Sequence, residues 1–136
     1  MTLAERRIVN EFQTGQFPAL KTRVEEAVGF PVPVEVQWDT LAVPGESRLY
    51  AECWPSVYFE PLIAGLAVVC RDDMGRDAVR GAVKKIVIQN AKGCVYGDCW
   101  ATLAGGVLTL DHEPLTNSSA VEERKNGLVA VLESNL

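Results

Sequence analysis

Trp100-Ala101-Thr102-Leu103-Ala104-Gly105-Gly106-Val107-Leu108-Thr109-Leu110 is the stretch whose reading decides the fold class. Two short runs, Trp100 to Leu103 and Val107 to Leu110, flank Ala104-Gly105-Gly106. Adjacent glycines tolerate the positive φ that a tight hairpin turn requires, so the segment predicts two antiparallel strands. Counting inward from the turn places Leu103 near Val107, and Cys99 then falls opposite Asp111.

Upstream, Ile86-Val87-Ile88 is a short β-branched run and reads as another strand. Val32, Val34, Val36 and Trp38 alternate with Pro33, Glu35 and Gln37, which predicts a half-buried strand over 32–38. Pro33 suits an edge or a strand start, because it has no N–H to give a neighbour. Pro44-Gly45 signals a turn. After it, Leu49, Ala51 and Cys53 alternate with Arg48, Tyr50 and Glu52, a weaker second strand.

Helical signals fill the remainder. Thr2-Leu3-Ala4-Glu5 reads as a capping box, followed by Leu3, Ile8, Val9 and Phe12 on one side of a helix. Gly15 breaks it and Pro18 restarts it, with Leu20, Val24, Ala27 and Val28 at core spacing before Gly29. A third helix is expected from Glu60, with Pro61 in its first turn and Leu62, Ile63, Leu66, Ala67 and Cys70 inward. Asp72-Asp73 caps a fourth, whose charges run from Asp77 to Arg80, Lys84 and Lys85, complementing the helix dipole. The last helix is expected from Asn117 to Ser119, with Ser119 and Glu122 as its box and Val121, Leu128, Val131 and Leu132 as its stripe. Gly127 weakens that helix. The sum is one α+β domain over residues 1–136: a small, mainly antiparallel sheet with helices packed on one face.

At 136 residues the chain buries about two thirds of its unfolded surface. Its longest uncharged apolar run, Pro61 to Cys70, is about half of what crosses a bilayer. The N-terminus mixes Glu5 with Arg6 and Arg7 before any apolar stretch, unlike a secretory signal, so the expected address is the cytoplasm. Cys53, Cys70, Cys94 and Cys99 fit that address as free thiols, Cys70 as a small buried hydrophobe.

Charge is unevenly distributed. Residues 31–75 hold seven acids against Arg48 and Arg71, a net −5, and the rest of the chain holds eleven of each sign. An acidic chain with few basic clusters argues against nucleic acid. Asp72 and Asp73 are accounted for as a helix cap, which leaves Glu35, Asp39, Glu46, Glu52 and Glu60. Tyr50, Trp54 and Tyr58 fall in the same stretch, and aromatic rings beside acids suit an interface with a basic protein. Trp38 and Phe59 read as core. The expectation is a domain that binds non-covalently through Glu35, Asp39, Glu46, Tyr50, Glu52, Trp54, Tyr58 and Glu60. An inhibitor or immunity-like role against a cationic enzyme would use such a face.

Two other readings stand beside it. Cys99 and His112 would be the centre of a thiol-dependent enzyme, which requires a thiolate oriented on an imidazole. Against it, the hairpin register leaves His112 diagonal to Cys99, and no glycine-rich segment offers an oxyanion hole. The third reading is a homodimer formed through the strand at 32–38 or the hairpin at 100–110. No metal or cofactor is expected: Cys94 and Cys99 make only one pair where structural zinc wants four ligands, and the acids do not follow a calcium-loop pattern.

Overall fold

The caps expected at Thr2 and Asp72 form as the sequence requires. The computed structural model describes residues 1–136. Helix α1 (Leu3–Thr14) opens on Thr2, whose hydroxyl accepts from the Glu5 N–H at 3.1 Å while Glu5 Oε2 accepts from the Thr2 N–H at 3.0 Å. Helix α2 (Gln16–Val28) carries Pro18 in its first turn and ends at Gly29, φ 86°. Helix α6 (Asp73–Ala82) starts under the Asp72 carboxylate, which accepts from the Gly75 N–H at 2.8 Å.

Residues 48–53 are helical, not a strand. Ser47–Leu49 forms a 3₁₀ turn after the short helix α3 (Trp38–Leu41), and α4 (Tyr50–Trp54) continues through a π-helical turn, Pro55–Phe59, into α5 (Glu60–Val69). The alternation over 48–53 coincides with a longer helical period, since Tyr50, Cys53, Trp54 and Val57 are all buried. Both prolines are accommodated without breaking the rod. Pro55 has no N–H for the Ala51 carbonyl, which accepts from Gln16 Nε2 at 3.2 Å instead. At the π turn the Glu60 N–H reaches Pro55 O, and Pro61, lacking an N–H, follows directly.

The sheet is mixed and mostly parallel rather than mainly antiparallel. Its order is β1 (Val34–Val36), β2 (Lys85–Gln89), β4 (Val107–Asp111), β3 (Ala101–Ala104). β1, β2 and β4 run parallel, and only β3 is antiparallel to its neighbour β4. The reason is connectivity. The helices α3 to α6 form the long crossover that a parallel β1–β2 pair needs. The β3–β4 hairpin forms as expected, with Gly105 and Gly106 at φ 58° and 80°, but β4 inserts beside β2. This two-residue turn sets Ala104 against Val107 and Leu103 against Leu108, one step from the expected register. β1 also ends earlier than expected, with Trp38 starting α3.

Ile86, Ile88, Leu108 and Leu110 are fully buried on one sheet face, in a continuous core with Leu62 and Leu66 of α5. The opposite face carries the row Glu35, Val87, Thr109 and Thr102, whose two ends are exposed. Helix α7 (Val121–Asn135) starts later than expected. Residues 117–120 form a turn with Asn117 at φ 53°, and Ser119 caps nothing. No helix is long and apolar enough to cross a membrane.

Candidate functional site

The acidic, aromatic stretch does not assemble as one surface. Tyr50, Trp54 and Tyr58 are fully buried. Their rings belong to the core: Tyr50 stacks on Trp54 at 4.2 Å, and Trp54 meets the Phe12 edge at 5.2 Å. Burial wins because helical spacing points these large rings inward, where they contribute more than at a wet surface. The acids spread over different elements, and several are paired. Glu35 bridges to Lys85 at 2.8 Å on the open sheet face, and Glu60 to Arg23 at 2.7 Å in the helical layer. Glu46 pairs with Arg48 at 3.0 Å, while Asp39 and Glu52 are exposed on α3 and α4. These bonds hold the Glu35 and Glu60 carboxyls below the usual range, chiefly through the lysine and the arginine respectively.

The topology gathers a different set of groups. Three parallel strands end on one edge of the sheet, and β3 begins there, so the segments 37–41, 90–100 and 112–120 converge. In open α/β sheets that carboxyl edge is where ligands bind, because several loops meet on a rigid platform. Asp111, 1% exposed at the end of β4, staples the edge. Its carboxylate accepts from the N–H groups of Ala91 at 2.9 Å and Lys92 at 3.0 Å, and from Gln89 Nε2 at 2.9 Å. Burial raises its pKa, and those three donors outweigh burial to leave it below the usual range.

Beneath the edge lies a buried polar cluster. The Tyr58 hydroxyl donates to the His112 carbonyl at 2.6 Å, and burial pushes its pKa well up, with Glu113 and Asp111 adding to the effect. Arg124, 1% exposed, donates to the carbonyls of Asn117 at 2.7 Å, Ser118 at 3.0 Å and Ser56 at 3.1 Å. Ser56 lies in the π turn five residues before Pro61, so its carbonyl has no i+5 donor and is open to the guanidinium. Burial lowers the Arg124 pKa without displacing it from the charged state. Trp100 Nε1 closes the cluster by donating to the Arg124 carbonyl at 2.8 Å.

Cys94 and Cys99 form a disulfide, with Cα atoms 6.0 Å apart, so they are not free thiols; Cys53 and Cys70 are free and buried. The bond closes Cys94-Val95-Tyr96-Gly97-Asp98-Cys99 into a loop on the carboxyl edge. Three anchors outside the sulfurs hold it. The Glu113 N–H donates to Cys94 O at 2.7 Å, Asn117 Nδ2 to Val95 O at 2.7 Å, and the Gly97 N–H to Glu123 Oε1 at 3.0 Å. Gly97 also lies directly on α7: a Cβ there would come within 2.6 Å of Glu123 O, and one on Gly127 would strike Gly97 O. Tyr96 at the tip is 61% exposed, next to exposed Asp98.

The thiol-enzyme arrangement does not form. The β3–β4 ladder ends at Ala101–Leu110, so Cys99 and His112 both lie beyond it; Cys99 is bonded to Cys94 and exposed, whereas His112 is fully buried. His112 Nδ1 donates to the Glu113 carbonyl at 2.6 Å, which fixes the tautomer, and Nε2 has no partner. The Val95 carbonyl favours the charged ring slightly but lies outside hydrogen-bond geometry to Nε2. Burial dominates and lowers the His112 pKa. No group of three or more His, Cys, Asp or Glu side chains is arranged to hold a metal ion. The two segments expected to pair across a two-fold axis, β1 and the hairpin strand β3, are the two edges of the sheet.

Sequence reasoning missed Tyr96, Asp111 and Arg124. For Arg124 a signal existed: it falls on the apolar stripe of α7, three residues after Val121 and four before Leu128, where a charge must find buried partners. Asp111 and Tyr96 gave none, because their roles depend on β4 lying beside β2. Compared with protein-family models, curated proteins and solved structures, the chain matches none.

Proposed function

We propose that the chain acts by non-covalent recognition of a protein partner at the carboxyl edge of the sheet. Tyr96 is the anchoring side chain, and a basic group on the partner meets Tyr96 and Asp98. The observation that supports this most is the Tyr96 side chain, 61% exposed at the tip of a loop held by a disulfide and three hydrogen bonds. An exposed aromatic ring on an ordered loop gives up little conformational entropy on binding, and for that reason tyrosines anchor interfaces. A tyrosine face with a carboxylate two residues away also complements lysine or arginine. The chain's net charge of −5 favours approach of a cationic partner. The surface depressions are lined by α1, α2, α4 to α7 and the segment 29–33, away from this edge.

Affinity capture followed by titration tests the reading. A partner bound by the natural chain should bind Tyr96→Ala at least tenfold more weakly, and Glu52→Gln unchanged. Its affinity should also fall as salt rises. Equal affinity for Tyr96→Ala, or a partner indifferent to ionic strength, refutes respectively the anchor or the basic partner. Sedimentation over a range of concentrations separates a homodimer from a foreign partner.

A further inference from the structure

We propose that the Cys94–Cys99 bond is an exchangeable closure of the Tyr96 loop, opened by a dithiol without unfolding the domain, and that opening it weakens partner binding; the binding half rests on the reading of Tyr96 given above. The bond joins two residues of one loop and ties no two elements together, so no strand or helix depends on it. Access is one-sided: Cys99 is exposed, and Cys94 is 7% exposed. An incoming thiolate therefore meets Cys99 Sγ first. The other two cysteines, Cys53 and Cys70, are buried on α4 and at the end of α5, in the helical layer, and burial raises the Cys70 pKa. Both therefore lie on elements other than the 94–99 loop.

The exchange balances with a dithiol as reductant. Its thiolate attacks Cys99 Sγ and the S–S bond breaks. Cys94 Sγ leaves with the electron pair and takes a proton to become a thiol. The second thiolate of the reductant then attacks the reductant's own sulfur in the mixed disulfide. Cys99 is released as a thiol and the dithiol becomes a disulfide, so two electrons and two protons pass to the protein. In the open loop Cys94 and Val95 keep their backbone anchors to Glu113 and Asn117, and Gly97 keeps Glu123. The turn around Asp98 and Cys99 has no such anchor; its Cys99 N–H reaches Tyr96 O only at 3.5 Å. Opening thus frees the side of the loop that carries Asp98 and leaves Tyr96 held by the three hydrogen bonds alone.

The test uses the full chain in dithiothreitol at neutral pH without denaturant, with alkylation mapped by mass spectrometry and amide exchange followed in parallel. Cys94 and Cys99 should become alkylatable at a rate proportional to dithiothreitol, while Cys53 and Cys70 stay protected. Amides of Asp98 and Cys99 should exchange at least tenfold faster, with Gly97, β2 and β4 unchanged, and Cys99→Ser should reproduce that exchange without reductant. Reduction that occurs only together with exposure of Cys53 and Cys70 would overturn the proposal. So would alkylation of Cys94 and Cys99 before any reductant is added, or loop amides indifferent to reduction. If the loop opens as described and the partner binds both forms equally, the binding half falls. Loss of binding in Tyr96→Ala then shows separately whether the recognition surface stands.

Discussion

Replacing Gly127 by alanine sets helix propensity against loop docking, and the two give opposite signs. On propensity alone, Gly→Ala within α7 stabilises by about 1 kcal/mol. In the fold, the new Cβ would collide with the Gly97 carbonyl oxygen and lie 2.9 Å from its carbon and 3.5 Å from Trp100 Nε1. The closest contact is backbone on both sides, so no rotamer relieves it. The 94–99 loop would have to lift, straining the Gly97–Glu123 and Asn117–Val95 hydrogen bonds of 3.0 and 2.7 Å. Each such bond is worth about 0.5–1.5 kcal/mol net, and overpacking costs about 1–3 kcal/mol. After the propensity gain, Gly127→Ala should destabilise by about 1–2 kcal/mol. An unfolding entropy near 0.3 kcal/mol/K for 136 residues makes that a fall in Tm of about 3–7 °C. Gly81→Ala is the internal control: it sits in α6 with no atom within 4 Å of its added Cβ, and should stabilise by about 0.5–1 kcal/mol. Urea unfolding followed by tryptophan fluorescence reads both. Equal stabilisation by the two substitutions would refute the docking of the loop on α7.

Arg124→Met should destabilise by about 3–5 kcal/mol in the same assay, since it strips the donors from three carbonyls around a buried site. Arg124→Lys should recover less than half, because one ammonium cannot reproduce the fork; full recovery would mean that charge alone matters. The His112 pKa is lowered in the fold, so between its folded and unfolded values the unfolded chain binds the proton more readily. Stability should therefore be intact above about pH 6.5 and fall below it, by at most about 1.4 kcal/mol per pH unit, down to the folded pKa. In His112→Phe that slope should vanish, and a slope that persists would assign it elsewhere. Asp111→Ala should cost about 2–4 kcal/mol at pH 7, measured by urea melts, by orphaning the Ala91 and Lys92 N–H groups. Because the Asp111 pKa is also lowered, its stabilisation is complete above the ordinary carboxylate range and is lost as pH falls through the folded value, so the cost should shrink in acid.

What the sequence determined by itself is what neighbouring residues decide. Thr2 and Glu5 cap α1, Gly29 stops α2, Asp72 caps α6, and Gly105-Gly106 turns the hairpin, because each involves groups no more than about four positions apart. The α+β class followed from the same local periods. Tertiary structure alone decided which strands are neighbours. The Ile86–Ile88 run reads alike in a parallel or antiparallel sheet, and only closure of the long crossover sets β2 between β1 and β4. That placement put Asp111 beside the 90–92 loop. Helical spacing of four residues turned Tyr50, Trp54 and Tyr58 inward, although in sequence they stand among acids. Strand order arises from contacts between residues far apart in the chain, whose free energy no local pattern encodes.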